Sequence, residues 1–91
     1  FVILAGGLGT LDELFELLTW KQLGLHDKPI VIVNINGYWT KLLEAIDNIA
    51  ESGFMRIEDK GMFVVVDEVK DVAKAIKNSP SEKFDPTTKW I

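Results

Sequence analysis

An α/β fold, the β-α-β-α-β-α portion of a doubly wound parallel sheet, follows from three observations. Three short apolar runs rich in β-branched residues, FVILA (1–5), IVIV (30–33) and MFVVV (62–66), show no polar–apolar alternation. Runs of that kind suit strands covered on both faces, as in parallel sheets. Each run precedes a segment whose apolar residues recur with helical period. Strand and helix then alternate in order, which predicts right-handed crossovers between parallel strands.

The first strand is expected within residues 1–5, followed by a helix over 11–24. In that helix Leu11, Leu14, Phe15 and Leu18 form one stripe, which Leu17, Trp20 and Leu23 widen. Pro29 opens the second strand, where its missing N–H does little harm. The second helix is expected from about Tyr38 to Ser52, with Leu42, Leu43, Ile46, Ile49 and Ala50 inward. Gly53 stands where a left-handed cap belongs, and Phe54 is placed to fold back on the last turn. The third helix is expected over about 68–78, with Val69, Val72, Ala73 and Ile76 inward. Asp67 is its expected N-cap, and Lys74 and Lys77 suit its negative end. Residues 1–79 therefore read as one domain portion. Residues 80–91, with two prolines and no period, read as an extended C-terminal tail.

The bulk numbers narrow the function classes. Ninety-one residues make one small domain, which buries only about 60% of its unfolded surface or slightly more. The net charge of −4, with Lys and Arg scattered, argues against a nucleic-acid polymer as partner. No cysteine is present, so disulfides, cysteine–zinc sites and thiol catalysis have no residues to build on; this fits a reducing, cytoplasmic setting. No apolar run approaches the roughly 20 residues of a membrane span. Three strands form a narrow sheet and the first helix is apolar over more than half its circumference. Both features ask for a partner: further strands, a second subunit, or both.

The chemistry concentrates in Gly6-Gly7-Leu8-Gly9-Thr10, at the carboxyl end of the first strand. In open α/β sheets ligands bind beyond such ends. Glycines allow positive φ and close approach of a ligand. The amides of the turn and of the following helix can converge on one anion, which gains roughly 0.3–2 kcal/mol from the helix field. A phosphate is the natural guest, with Thr10 adding a hydroxyl. The turn is neither a Walker A loop nor a Gly-x-Gly-x-x-Gly fingerprint. Thr10-Leu11-Asp12-Glu13 also has the form of a capping box, in which Thr10 caps the helix and Glu13 reaches back to its N–H. That reading needs no ligand. If a phosphate does sit at this end, Asp12 and Glu13 would repel it, and keeping carboxylates there makes more sense if one of them faces another part of the ligand, where positive charge develops.

With the segments TWKQLGLHDKP (19–29) and NINGYWTKLLEAID (34–47), the stretch AGGLGTLDEL (5–14) resembles the Lonely Guy family of cytokinin-activating enzymes. The family hallmark Pro-Gly-Gly-x-Gly-Thr-x-x-Glu aligns with residues 5–13, Ala5 standing in place of the proline. The resemblance is strong from Phe1 to about Phe54 and rests on strand and helix pattern thereafter. It implies a Rossmann-like fold and hydrolysis of the N-glycosidic bond of nucleoside 5′-monophosphates, giving free base and ribose 5-phosphate. It implies that Gly6, Gly7, Gly9 and Thr10 hold the 5′-phosphate and that Glu13 is the catalytic carboxylate, with no cofactor and no metal. Many relatives carry the label lysine decarboxylase, a reaction that needs pyridoxal phosphate on a lysine; Lys21, Lys28 and Lys41 sit in no such context. The family's arginine-bearing motif lies upstream of this strand, whereas Arg56 stands elsewhere. The 91 residues are therefore expected to hold part of an active site, the C-terminal portion of the domain. The resemblance also places the 11–24 helix near a subunit interface, implying a homodimer or higher homo-oligomer with Phe15 and Trp20 as contacts.

Other polar residues read as ordinary. His26 in its loop reads as structural. Asn34, Asn36 and Gly37 end the second strand on the ligand side, as pocket-lining or as plain turn residues. Glu58, Asp59 and Glu68 read as solvated surface.

Overall fold

β2 (Val31–Val33) lies at the centre of a three-stranded parallel sheet, with β1 (Val2–Ile3) on one side and β3 (Val64–Val66) on the other. A computed structural model describes residues 1–79; the expected tail lies outside the described residues. The register aligns Val2, Val31 and Val64 in one row and Ile3, Ile32 and Val65 in the next. Because β2 is paired on both edges and covered on both faces, all three of its residues are buried. This is the burial that an unbroken β-branched run predicts.

Three helices follow the three strands: α1 (Leu8–Gln22), α2 (Thr40–Glu51) and α3 (Val72–Asn78). On one face of the sheet, Ile3, Ile30 and Ile32 pack with Leu14, Leu17 and Leu18 of α1, Trp39 and Met62. Leu11, Leu42, Leu43 and Phe63 close the rim of this core. Each fully buried aliphatic side chain there contributes roughly 1.5–3 kcal/mol. Val31 and Val33 point to the opposite face, where α3 packs against β2 and β3.

The helices depart from their expected limits in instructive ways. α1 begins at Leu8, with the first helical bond from the Leu11 amide to the Gly7 carbonyl at 3.1 Å. Thr10 thus lies inside the first turn and caps nothing, and no acidic residue falls in that turn. The capping box does not form. The physical reason is Gly6: a Cβ there would lie 2.0 Å from Thr10 Oγ1, so only glycine leaves room for the helix to start this early. α2 is preceded by a 3-10 turn over Ile35–Gly37 and starts at Thr40. The segment expected as one helix over 68–78 is a 3-10 turn, Val69–Asp71, followed by α3, and Asp67 does not cap it.

Ile49 of α2 and Val69, Ala73 and Ile76 near or in α3, expected inward, face out. Phe15 and Trp20 of α1 and Leu23 at its C-cap, members of its wide apolar stripe, are exposed as well. Phe15 and Ile49 line a small apolar cleft of about 160 Å³ between α1, α2 and Phe63. α1 has an apolar stripe wider than the sheet can cover, and α3 is a short helix against a sheet edge.

Both long helices end in the same device. Gly24 and Gly53 have φ of +76° and +84°. The Gly24 amide bonds to Lys21 O and the Leu25 amide to Trp20 O; the Gly53 amide bonds to Ala50 O and the Phe54 amide to Ile49 O. These are paired Schellman bonds. The expected cap at Gly53 therefore forms, but the Phe54 side chain stays exposed rather than folding onto the helix.

A 3-10 segment, Ile57–Met62, leads into β3 and buries Asp59 completely. Gln22 Nε2 donates to one carboxylate oxygen at 3.0 Å and Arg56 Nη2 to the other at 2.9 Å. Asp59 is thus a corrected reading: an interior charge with two donors, not solvated surface. Its burial is not marked locally: Arg56 lies only three residues before it, but Gln22 is 37 residues away.

Candidate functional site

Loops carrying the candidate residues gather at the carboxyl ends of the strands. Gly6 and Gly7 leave β1; Gly7 is the N-cap of α1 with φ −108° and ψ −147°. Neither of them nor Gly9 has positive φ, so the expected need for left-handed backbone is not what the turn uses. Gly6 is required by its approach to Thr10. Gly7 and Gly9 are different: a Cβ on either meets nothing within 4 Å. The protein's own packing gives no reason for glycine at these two positions. Gly9 even costs the helix about 0.5–1 kcal/mol relative to alanine.

Helix geometry leaves the amides of Leu8, Gly9 and Thr10 without intrahelical acceptors. They project from the end of a 15-residue helix, the end where anions are favoured. Glu13 follows Gly9 by four residues and Thr10 by three, so it shares their face of α1, roughly 5–6 Å further along. Glu13 is exposed at the edge of the buried face, since Leu17 follows it by four residues, and Thr10, four residues before Leu14, is partly buried. Gly9 and the carboxylate thereby share one open surface.

A second loop, after β2, reaches this turn. The Tyr38 hydroxyl donates to the Gly6 carbonyl. Asn34 holds the loop from its start: Oδ1 accepts the Trp39 amide at 2.6 Å, and Nδ2 donates to Thr40 Oγ1 at 3.2 Å. Asn36 and Gly37 both take left-handed backbone, with φ of 53° and 71°. Asn34, Ile35, Asn36 and Gly37 also form one wall of a cavity of about 750 Å³, whose other wall is Asp67–Lys70 after β3. Asn34, Asn36 and Gly37, expected as pocket-lining or as plain turn residues, thus line a cavity at the carboxyl end of the sheet whose lining does not include the glycine turn or Glu13. Sequence reasoning missed Tyr38, whose partner lies 32 residues away.

The remaining candidates resolve into structure. His26 Nδ1 accepts the Lys28 amide at 3.1 Å, which leaves Nε2–H to donate to Leu17 O at 3.0 Å. The ring is a bridge between loop and helix, as expected. Lys21 is buried and donates to Lys28 O at 2.9 Å. Burial pushes its pKa down, and the negative charge of Asp27 partly offsets this. Among the described residues no group of three or more His, Asp or Glu side chains is placed to hold a metal ion. Among the same residues no helix is long and apolar enough to cross a membrane.

Comparison with known proteins adds a family to this geometry. Residues 1–76 match the family described as possible lysine decarboxylase. The chain is 40% identical over 92 residues to a probable cytokinin riboside 5′-monophosphate phosphoribohydrolase of Oryza sativa subsp. japonica, covering 99% of this chain and 38% of that protein. It is 40% identical over 77 residues to a cytokinin riboside 5′-monophosphate phosphoribohydrolase of Arabidopsis thaliana, covering 85% of this chain and 36% of that one. A bifunctional cytokinin biosynthesis protein of Fusarium pseudograminearum is 33% identical across the whole chain, which spans 19% of its length. The chain thus spans well under half the length of these relatives.

Proposed function

Because the chain belongs to the family described as possible lysine decarboxylase, the one its Lonely Guy motif indicated, we propose that it forms part of a nucleoside 5′-monophosphate phosphoribohydrolase. The 5′-phosphate sits against the amides that open α1. Glu13, one turn along the same face, meets the ribose. The bond from C1′ to the base nitrogen breaks; water supplies hydroxide to C1′ and a proton to the base. The products are free base and ribose 5-phosphate. The sugar passes through an oxocarbenium-like state, as in glycoside hydrolysis, and a carboxylate beside it stabilises that charge and orients the water.

The observation that carries this reading is the open space at Gly7 and Gly9. Two glycines that internal packing does not require, at a helix N-terminus, leave room for an anion to reach the backbone. Glu13 on the shared face then has a partner for its charge in the ligand, since the alternative bond to Thr10 is not made. The exposed aromatic residues of α1, Phe15 and Trp20, support a homodimer through this helix. The lack of cysteine in the sequence suits a cytoplasmic protein.

The test is release of free base when the full-length protein is incubated with adenosine 5′-monophosphate or its prenylated form. Glu13→Gln is expected to lower the rate by roughly 10²–10⁴-fold. Absence of release by the unmodified protein overturns the proposal. A second reading, a non-catalytic nucleotide-binding module of the same fold, is favoured by one observation: Arg56, the sequence's one arginine, is engaged with Asp59. It expects a nucleotide to raise the melting temperature and be recovered intact.

A further inference from the structure

We propose that Tyr38 is a positioning residue for the phosphate turn, fixing the orientation of the Gly6–Gly7 peptide through its hydroxyl. The inference rests on the proposed phosphate site. A trans peptide is planar, and its C=O and N–H point in opposite directions. Whatever holds the Gly6 carbonyl therefore aims the Gly7 amide. Between two glycines this peptide has little steric resistance to rotation, since neither flank carries a Cβ. The Gly6 carbonyl accepts from the Tyr38 hydroxyl, 32 residues later, at 2.5 Å.

The tyrosine is itself held firmly. Its ring meets Trp39 edge to face with centroids 4.8 Å apart, and Trp39 is in the core. The backbone around it is fastened by Asn34, whose amide bonds to Val66 O at 2.8 Å in β3 and whose side chain grips Trp39 and Thr40. The Tyr38 amide bonds back to Ile35 O at 3.0 Å. Through these bonds the β2–α2 loop, anchored to the sheet, acts as a strut whose tip presses on the glycine turn. Tyr38 itself is half exposed, so its hydroxyl contributes little to the core. With the carbonyl held, the Gly7 amide stays turned away from Tyr38. An amide whose carbonyl already accepts a hydrogen bond is also a somewhat stronger donor.

The test is Tyr38→Phe in the full-length protein, which keeps the ring on Trp39 and removes only the hydroxyl. Dissociation constants for ribose 5-phosphate and inorganic phosphate are measured by calorimetry, beside KM and kcat for adenosine 5′-monophosphate. Loss of one positioning hydrogen bond is expected to weaken binding of both anions roughly threefold to tenfold. KM rises by a similar factor and kcat changes less than about twofold, while binding of the phosphate-free nucleoside and the melting temperature stay where they were. In amide NMR spectra of the unmodified protein, phosphate shifts the Gly7 resonance strongly; in the variant that response is diminished. Equal anion affinity in the two proteins overturns the inference and leaves the phosphoribohydrolase proposal standing. Anion binding that depends on Tyr38, without any base release, overturns the enzyme proposal and leaves this inference standing. Failure of the unmodified protein to bind either anion overturns both, whereas a loss of affinity in the variant that matches a general loss of folding overturns this inference alone.

Discussion

A Cβ placed on Gly6 would lie 2.0 Å from the hydroxyl oxygen of Thr10 and 2.9 Å from its Cβ. No side chain can be accommodated there without moving Thr10 or the first turn of α1. Gly6→Ala is therefore expected to destabilise the protein by about 1–3 kcal/mol, the range for overpacking a close contact. The midpoint of urea unfolding checks it, and an unchanged midpoint would mean that the turn relaxes freely.

Gly9→Ala separates ligand binding from stability. Its Cβ enters open space in a helical turn, so alanine is expected to raise stability by about 0.5–1 kcal/mol. The same methyl group occupies the space proposed for phosphate and is expected to weaken ribose 5-phosphate binding at least tenfold. A variant that gains stability and binds ribose 5-phosphate equally well would remove the anion from this turn.

Lys21 gives the alkaline stability profile a definite sign. Burial, partly offset by Asp27, holds its pKa below the ordinary lysine value of 10.5. Between that lowered value and 10.5 the unfolded chain binds more protons than the folded one, so stability rises with pH in this window and levels off above it. Lys21→Met lacks this rise. Denaturation midpoints of the two proteins, taken from pH 7 to pH 10.5, should differ most in slope between the lowered value and 10.5; parallel curves would contradict the assignment.

Asp59 is expected to be the most sensitive charged residue of the interior. Removing its carboxylate leaves Gln22 and Arg56 without a buried acceptor they now share. Asp59→Ala is expected to cost about 3–5 kcal/mol, as for one partner of a buried pair. Asp59→Asn, which keeps an acceptor oxygen, should cost less. Thermal melts of the two variants compared with the parent test the order.

Trp20 of α1 is 45% exposed and Phe15 43%. If this face joins two subunits, Trp20→Asp should convert the oligomer to monomer in sedimentation velocity while its helix content is retained. An unchanged sedimentation coefficient would move the interface elsewhere.

The strand–helix alternation, the parallel pairing and the glycine cap at Gly53 were legible because each is written in adjacent residues. β2 in particular shows its burial on both faces in four consecutive letters, Ile30 to Val33. The glycine turn was legible as a candidate, but its mechanics were not. The early start of α1 depends on how Gly6 and Thr10 meet in space, and the capping-box letters pointed the other way. Burial of Asp59 and the reach of Tyr38 to Gly6 depend on partners more than 30 residues distant. The apolar stripe of α1 is wider than the small sheet can cover, as its periodicity indicated, and Phe15, Trp20 and Leu23 are left exposed.

Gly24 and Gly53 set the lengths of the two long helices by stereochemistry, since continuing either helix past its glycine would break a pair of closing bonds. Each crossover is thus a spacer of constant span. Surface substitutions can accumulate along α1 and α2 without changing where the next strand enters the sheet, so the alignment of ligand-side loops is insulated from drift in the helices that connect them.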